Sequence, residues 1–257
     1  MPSDWNPQVF PDWRWPGGPH LTVGVYRPRQ SDEENLVATL HTLLGLGAVL
    51  KGVGTAQVPG EPVVSARDMK VRPISLSDLD AIVADPTQQI HQFYIEGYFD
   101  GSSVVSLSPM SDEAARTDRH PVSVFFNAWD FEMGDEDDQA RIGDRARRLL
   151  LELARSPEVA YGAILGEGWW MYPPTELTDD DSSIYFGDFV LADWVAAEDR
   201  DLILAAFQGA YVEQLEFGTY ISVSEWFNPC HLGLRAGGER GAEREALVRR
   251  VLVKNLT

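Results

Sequence analysis

The sequence predicts an α+β fold, and three observations carry that expectation. Apolar segments with strand-like alternation recur along the chain, notably at 20–26, 90–99, 122–126 and 219–226. Between them lie segments whose apolar residues keep helical spacing, of which 31–44 and 139–155 are the clearest. Asp100-Gly101, set between two strand-like runs, is a hairpin signal and calls for antiparallel pairing. The expected architecture is a mainly antiparallel or mixed sheet with helices packed largely on one face.

Residues 1–19 hold Trp5, Trp13 and Trp15 among five prolines and two glycines, which argues against regular structure. Three tryptophans are costly to leave in water, so this arm is expected to dock on the core, with an exposed partner-binding arm as the alternative. His20 to Tyr26 alternates and is rich in β-formers, which makes it a strand. Ser31 and Glu34 have capping-box spacing, and Leu36, Val37, Leu40, Leu43 and Leu44 then fall on one helical face that ends at Gly45 and Gly47.

Val49 to Val58 reads as strand or loop, and Val63-Val64 and Met69 to Ile74 as short strands. Ser77 is placed to cap a short helix over Asp78 to Ala84. Ile90 to Phe99 is an aromatic strand that returns through Asp100-Gly101 into Val104 to Leu107. The polar stretch 108–119 is the natural boundary between halves.

Past that boundary the pattern starts again. A strand from Val122 is followed by the acidic run Asp135, Glu136, Asp137 and Asp138, and then by a helix over 139–155 with the stripe Ile142, Ala146, Leu149, Leu150 and Leu153. Acids at a helix start are favoured by its dipole, and that alone is a sufficient structural reason for them. Tyr161 to Leu165 and Ile184 to Leu191 are the next strands, Ala196 to Phe207 a helix, Thr219 to Trp226 a strand, and Glu239 to Val253 a final helix. His20 to Tyr26 and His120 to Phe126 lie 100 residues apart and are followed by the same succession of elements. The organisation read from this is an arm at 1–19, a first α+β half at 20–110, a second at 120–235 as a tandem pseudo-repeat, and a C-terminal helix at 239–257. The sheets of the halves are expected to meet edge to edge or to form one sheet.

Charge bounds the function. Forty acids against 21 bases give −19, a field that repels nucleic acid and anionic membrane and speeds encounter with a basic partner. No apolar run approaches the ~18 residues of a membrane span. The start, Met1 to Trp5, has no signal-peptide pattern, and Cys230 is the single cysteine, so the expectation is a cytoplasmic protein. The five histidines form no HxH or HExxH set, and no nucleophile elbow or phosphate loop is present, so neither a catalytic residue, a metal nor a cofactor is expected. Gly45, Gly47, Gly52 and Gly54 follow a helix, where helix termination explains them better than phosphate binding.

Trp169, Trp170 and Tyr172, before Pro173-Pro174, form the most unusual local feature, flanked by acids that include Asp179, Asp180 and Asp181. A strand end plugging the core accounts for them structurally. An aromatic anchor within an acidic rim is the functional reading, because Trp and Tyr dominate binding hot spots. The acidic α+β character, Gly168-Trp169-Trp170 and Ser224-Glu225-Trp226-Phe227 resemble the immunity proteins of bacterial polymorphic toxin systems. That resemblance implies an inhibitor that binds and neutralises a cognate, basic toxin domain. Asp135 to Asp138, Trp169, Trp170, Tyr172 and Asp179 to Asp181 would then form the binding face. The alternatives are a hydrolase-type enzyme with an unrecognised carboxylate site and a structural component of a larger bacterial assembly.

Overall fold

The structure is a computed structural model that describes residues 20–58, 69–108, 119–127, 135–165, 171–177, 188–222 and 239–256. Its elements run β1 (His20–Tyr26), α1 (Asp32–Gly45), β2 (Val49–Ala56), β3 (Met69–Pro73), α2 (Leu76–Val83), β4 (Ile90–Glu96), β5 (Ser102–Leu107) and β6 (Val122–Asn127). They continue with α3 (Glu136–Leu153), β7 (Tyr161–Leu165), a 3-10 turn (Pro174–Glu176), β8 (Asp188–Ala192), α4 (Asp193–Ala196), α5 (Arg200–Ala206), β9 (Tyr211–Gln214), β10 (Gly218–Ser222) and α6 (Glu239–Leu256). The expected α+β class is what is found. The strands form one ten-stranded sheet in the order β3-β2-β4-β5-β6-β1-β7-β8-β10-β9, each neighbouring pair antiparallel. Among the described residues no helix is long and apolar enough to cross a membrane.

Strand β1 sits between β6 and β7, so residues from both stretches of the chain interleave at the sheet centre. Alternating directions make β1 parallel to β2 and β6 parallel to β7. Each parallel pair is joined by a long helix, α1 over β4, β5 and β6, and α3 over β1. Because β6 runs opposite to β1 and its chain moves to the opposite side, crossovers of one hand put both helices on the same face.

That face holds the larger core. Leu36, Leu40 and Leu43 of α1 and Ile142, Ala146, Leu149, Leu150 and Leu153 of α3 pack on Leu21, Val23, Val25, Val124 and Phe126, as the helical stripes predict. On the opposite face, α4, α5 and α6 pack on Tyr161, Ala163, Leu165, Phe189, Leu191 and Ile221. Gly162 lets α3 come close, since a Cβ there would lie 2.9 Å from the Gly24 carbonyl oxygen and 3.0 Å from Leu150.

Local chemistry sets the boundaries. The Ser31–Glu34 capping box forms as its spacing predicts. For α2 the cap is Ser75 and not Ser77: the Asp78 carboxylate accepts from the Ser75 amide at 2.8 Å, and Ser75-x-x-Asp78 is itself a capping box. Strand β4 stops at Glu96, short of Phe99, because Gly97 and Gly101 take φ of 93° and 88° and make a five-residue loop. Tyr98 and Phe99 turn inward from that loop. The Tyr98 hydroxyl donates to the Arg145 carbonyl at 2.8 Å, and Phe99 stacks on Phe126. The helix expected over 196–207 forms only over Arg200–Ala206 as α5, with the short α4 just before it, and β9 is a strand that the pattern did not show. The strand candidate at Val63-Val64 and the 1–19 arm lie outside the described residues.

Candidate functional site

The acidic run opens α3. Asp135 is the N-cap residue, and its carboxylate accepts from the backbone amides of Asp137 and Asp138 at 3.1 and 3.0 Å. One of the four acids therefore has a structural role of the kind the helix start demands. Asp138 pairs with Arg141 at 2.9 Å, and Arg141 also pairs with Asp100. Arg145 reaches Asp100 at 3.1 Å. The Arg141 hydrogen bond, with help from Arg145, holds the Asp100 carboxyl below its ordinary range. Asp135 and Asp137 face solvent, and Asp138 is half-buried. Glu136 begins the helix itself.

The structure gathers the Asp135–Asp138 run at one corner, where it adjoins the β4–β5 loop through Arg141. Tyr172 stands elsewhere. It is half-buried with the cluster on the face opposite α3, and its carbonyl accepts from the Tyr161 hydroxyl. Trp169, Trp170, Asp179, Asp180 and Asp181 lie outside the described residues. An open hollow of about 390 Å³ lies beside the same corner, lined by Val49, Lys51, Glu96, Gly97, Phe99, Asp100 and Gly101. Lys51 and Glu96 pair across it at 3.0 Å. Among the described residues no three His, Cys, Asp or Glu side chains are grouped to hold a metal ion.

Sequence reasoning missed a second titratable group, at the start of β8. Asp188 is 0% exposed and lies on the α3 side of the sheet, opposite Ser222 of β10 and Ile164 of β7. Arg147 of α3 donates from Nε to the Tyr220 hydroxyl at 2.7 Å, and its Nη2 stands 3.7 Å from Asp188 Oδ2. Ser222, Arg147 and Tyr220 surround the carboxylate and pull its pKa down. Burial outweighs their pull and raises the Asp188 pKa. Burial, followed by the Asp188 charge, also pushes the Tyr220 hydroxyl up. A lone Asp between a loop and a strand gives no sequence signal of burial, so this group was not legible.

Asp188 makes a pH prediction. An unfolded Asp ionises near 3.8, whereas the buried one ionises later. As pH rises through the interval between those two values, the unfolded state gains from ionisation first and the fold loses stability. Asp188→Asn should remove that loss. In urea titrations it is expected to be at least as stable as the parent at pH 7 and to show a flatter pH dependence above pH 4. A large loss of stability at pH 7 would mean that the Asp188–Arg147 attraction outweighs burial.

No family model and no curated protein sequence matches the chain. A solved structure of a Pseudomonas aeruginosa T6SS protein, PA0821, is similar over 93% of this chain and 73% of its own, at 12% identity and a TM-score of 0.49. That is a distant structural neighbour.

Proposed function

We propose that the chain is a protein-binding module of the immunity type, which binds and neutralises a basic toxin domain in the cytoplasm through an acidic, aromatic surface. The observation that carries this reading is the charge of −19, on a fold that leaves Asp135 and Asp137 in solvent. Such a field accelerates encounter with a positively charged partner and opposes nucleic acid and anionic membrane. Trp169, Trp170 and Asp179 to Asp181 complete the proposed face, and Tyr172, half-buried on the side of the sheet opposite α3, stands apart from it.

The structural role of Asp135 decides how the test is built. Asp135→Ala removes a cap and is expected to cost about 1 kcal/mol of stability in thermal or urea unfolding, whatever the chain binds. Asp135→Asn keeps the cap and removes only the charge, so its stability should match the parent. The binding test pairs Asp135→Asn with Asp137→Lys, measured against a basic toxin domain sought in the gene immediately upstream. Association at low salt is expected to slow by about tenfold, with the difference closing at high salt. Undiminished association would remove this corner from the binding face.

One observation favours the hydrolase-type reading. Asp188 has a raised pKa beside an arginine and a tyrosine, an arrangement common at catalytic sites. Its full burial places that reading second. Loss of a measured hydrolytic activity in Asp188→Asn, with the fold intact, would put it first.

A further inference from the structure

We propose that β9 is a docking strand, which takes an extended, basic segment of a partner protein as an eleventh strand of the sheet. The inference rests on the edge itself and holds whether or not Asp135 and Asp137 bind anything.

The sheet has two outer strands, and they are built differently. β3 carries Lys70, Arg72 and Pro73, all exposed, and such residues discourage pairing with a further strand. β9 reads Tyr-Val-Glu-Gln and has none of them. Tyr211 is 57% exposed and Val212 41%, the first on the α3 side of the sheet and the second on the other. Apolar residues thus stand open on both faces of an unguarded edge.

The backbone is oriented to receive a strand. The Leu215 amide donates to the Gly218 carbonyl at 2.7 Å, closing the β9–β10 hairpin with a hydrogen-bonded pair. Alternation along an antiparallel ladder then pairs Glu213 with Tyr220 and Tyr211 with Ser222 through the backbone. The amides and carbonyls of Val212 and Gln214 point to the free edge, where no described strand pairs with them.

Charge selects the occupant. Arg200 is held near Asp193, and Lys254 is bridged by Glu198 and Asp199. Among the described residues no Lys or Arg forms an ion pair with Asp201, Glu213 or Glu216 around β9. A second copy of this chain would bring Glu213 toward its own counterpart, which opposes pairing. A segment with Lys or Arg beside Glu213 and an apolar residue opposite Val212 fits both faces.

The probe is an acetylated, amidated octapeptide of alternating Lys and Val, with the Glu-Val octapeptide as control, added to the full chain. Amide exchange and backbone shifts are read at Val212 and Gln214. The Lys-Val peptide is expected to slow exchange at both amides by about tenfold, and the Glu-Val peptide to leave them unchanged. Val212→Pro, which removes an outward amide, should abolish the effect. Glu213→Lys keeps the backbone and should reverse the preference between the peptides, so the result survives if the proline variant fails to fold. Unprotected amides at both positions would overturn the proposal. So would equal protection by both peptides, or self-association through β9 that Val212→Pro disrupts.

Discussion

Alanine at Phe126 is expected to remove about 3–5 kcal/mol of folding stability, measured by urea unfolding at pH 7. The residue lies on β6, at the sheet centre, and is 0% exposed. Its register neighbours are Leu21 on β1 and Ser103 on β5, and the ring of Phe99 stacks on it with centroids 3.5 Å apart and planes 3° apart. Truncation would leave a void that strands on both sides cannot close, because the ladder fixes their spacing at about 4.8 Å. A domain of this kind is stable by about 5–15 kcal/mol in all, so the loss is a large fraction of it. Phe99 sits in the five-residue β4–β5 loop, and its ring, together with Tyr98, ties that loop to the core. The double variant with Phe99→Ala should therefore lose less than the sum of the two single losses, by about 0.5–1.5 kcal/mol. Strict additivity would show that the stack contributes no coupling.

The elements that local chemistry decides were legible, and those decided by distant partners were not. The capping box at Ser31 and Glu34 and the apolar stripes of α1 and α3 are written within a few turns of chain, and they formed as read. The strand β1 was plain in His20 to Tyr26, yet nothing within it says that it will lie between β6 and β7. That choice depends on pairing with strands 97 or more residues away. Strand β9 was hidden because four residues after a helix are too short for alternation to be seen. Ser77 was read as the cap of α2, and only the placement of the Asp78 carboxylate shows that Ser75 has that role. Of the candidate site, the acidic run at 135–138 was visible as charge, but its division into cap, ion pair and free acid is a matter of side-chain geometry. Burial of Asp188 likewise follows from where β8 and β10 meet under α3, which no single stretch records.

Removing Asn35 is expected to be as damaging as removing Phe126, for an electrostatic reason. Arg27, just past β1, is 1% exposed. Its guanidinium donates to Asn35 Oδ1 and, at 2.9 Å, to Thr39 Oγ1, both on α1. Burial alone pulls its pKa down to about 10, equivalent to about 3 kcal/mol against the charged form at neutral pH. Asn35 also donates from Nδ2 to the His120 carbonyl at 3.1 Å, joining α1 to the entry of β6. Asn35→Ala would strip a buried cation of an acceptor and a half-buried carbonyl of its donor, with an expected loss of about 3–5 kcal/mol at pH 7. The pH dependence distinguishes this from a simple cavity. A base with a lowered folded-state pKa destabilises the fold while protonated, and that penalty fades as pH rises past the folded value. Without Asn35 the Arg27 pKa falls further, so the gap between variant and parent should be full at pH 7 and narrow as pH approaches 10 and beyond. Arg27→Met in the Asn35→Ala background should recover part of the loss, since the charge that needed the acceptor is gone. An equal gap at pH 7 and above pH 10, with no recovery in the double variant, would assign the whole effect to lost packing and leave the buried arginine without an energetic role.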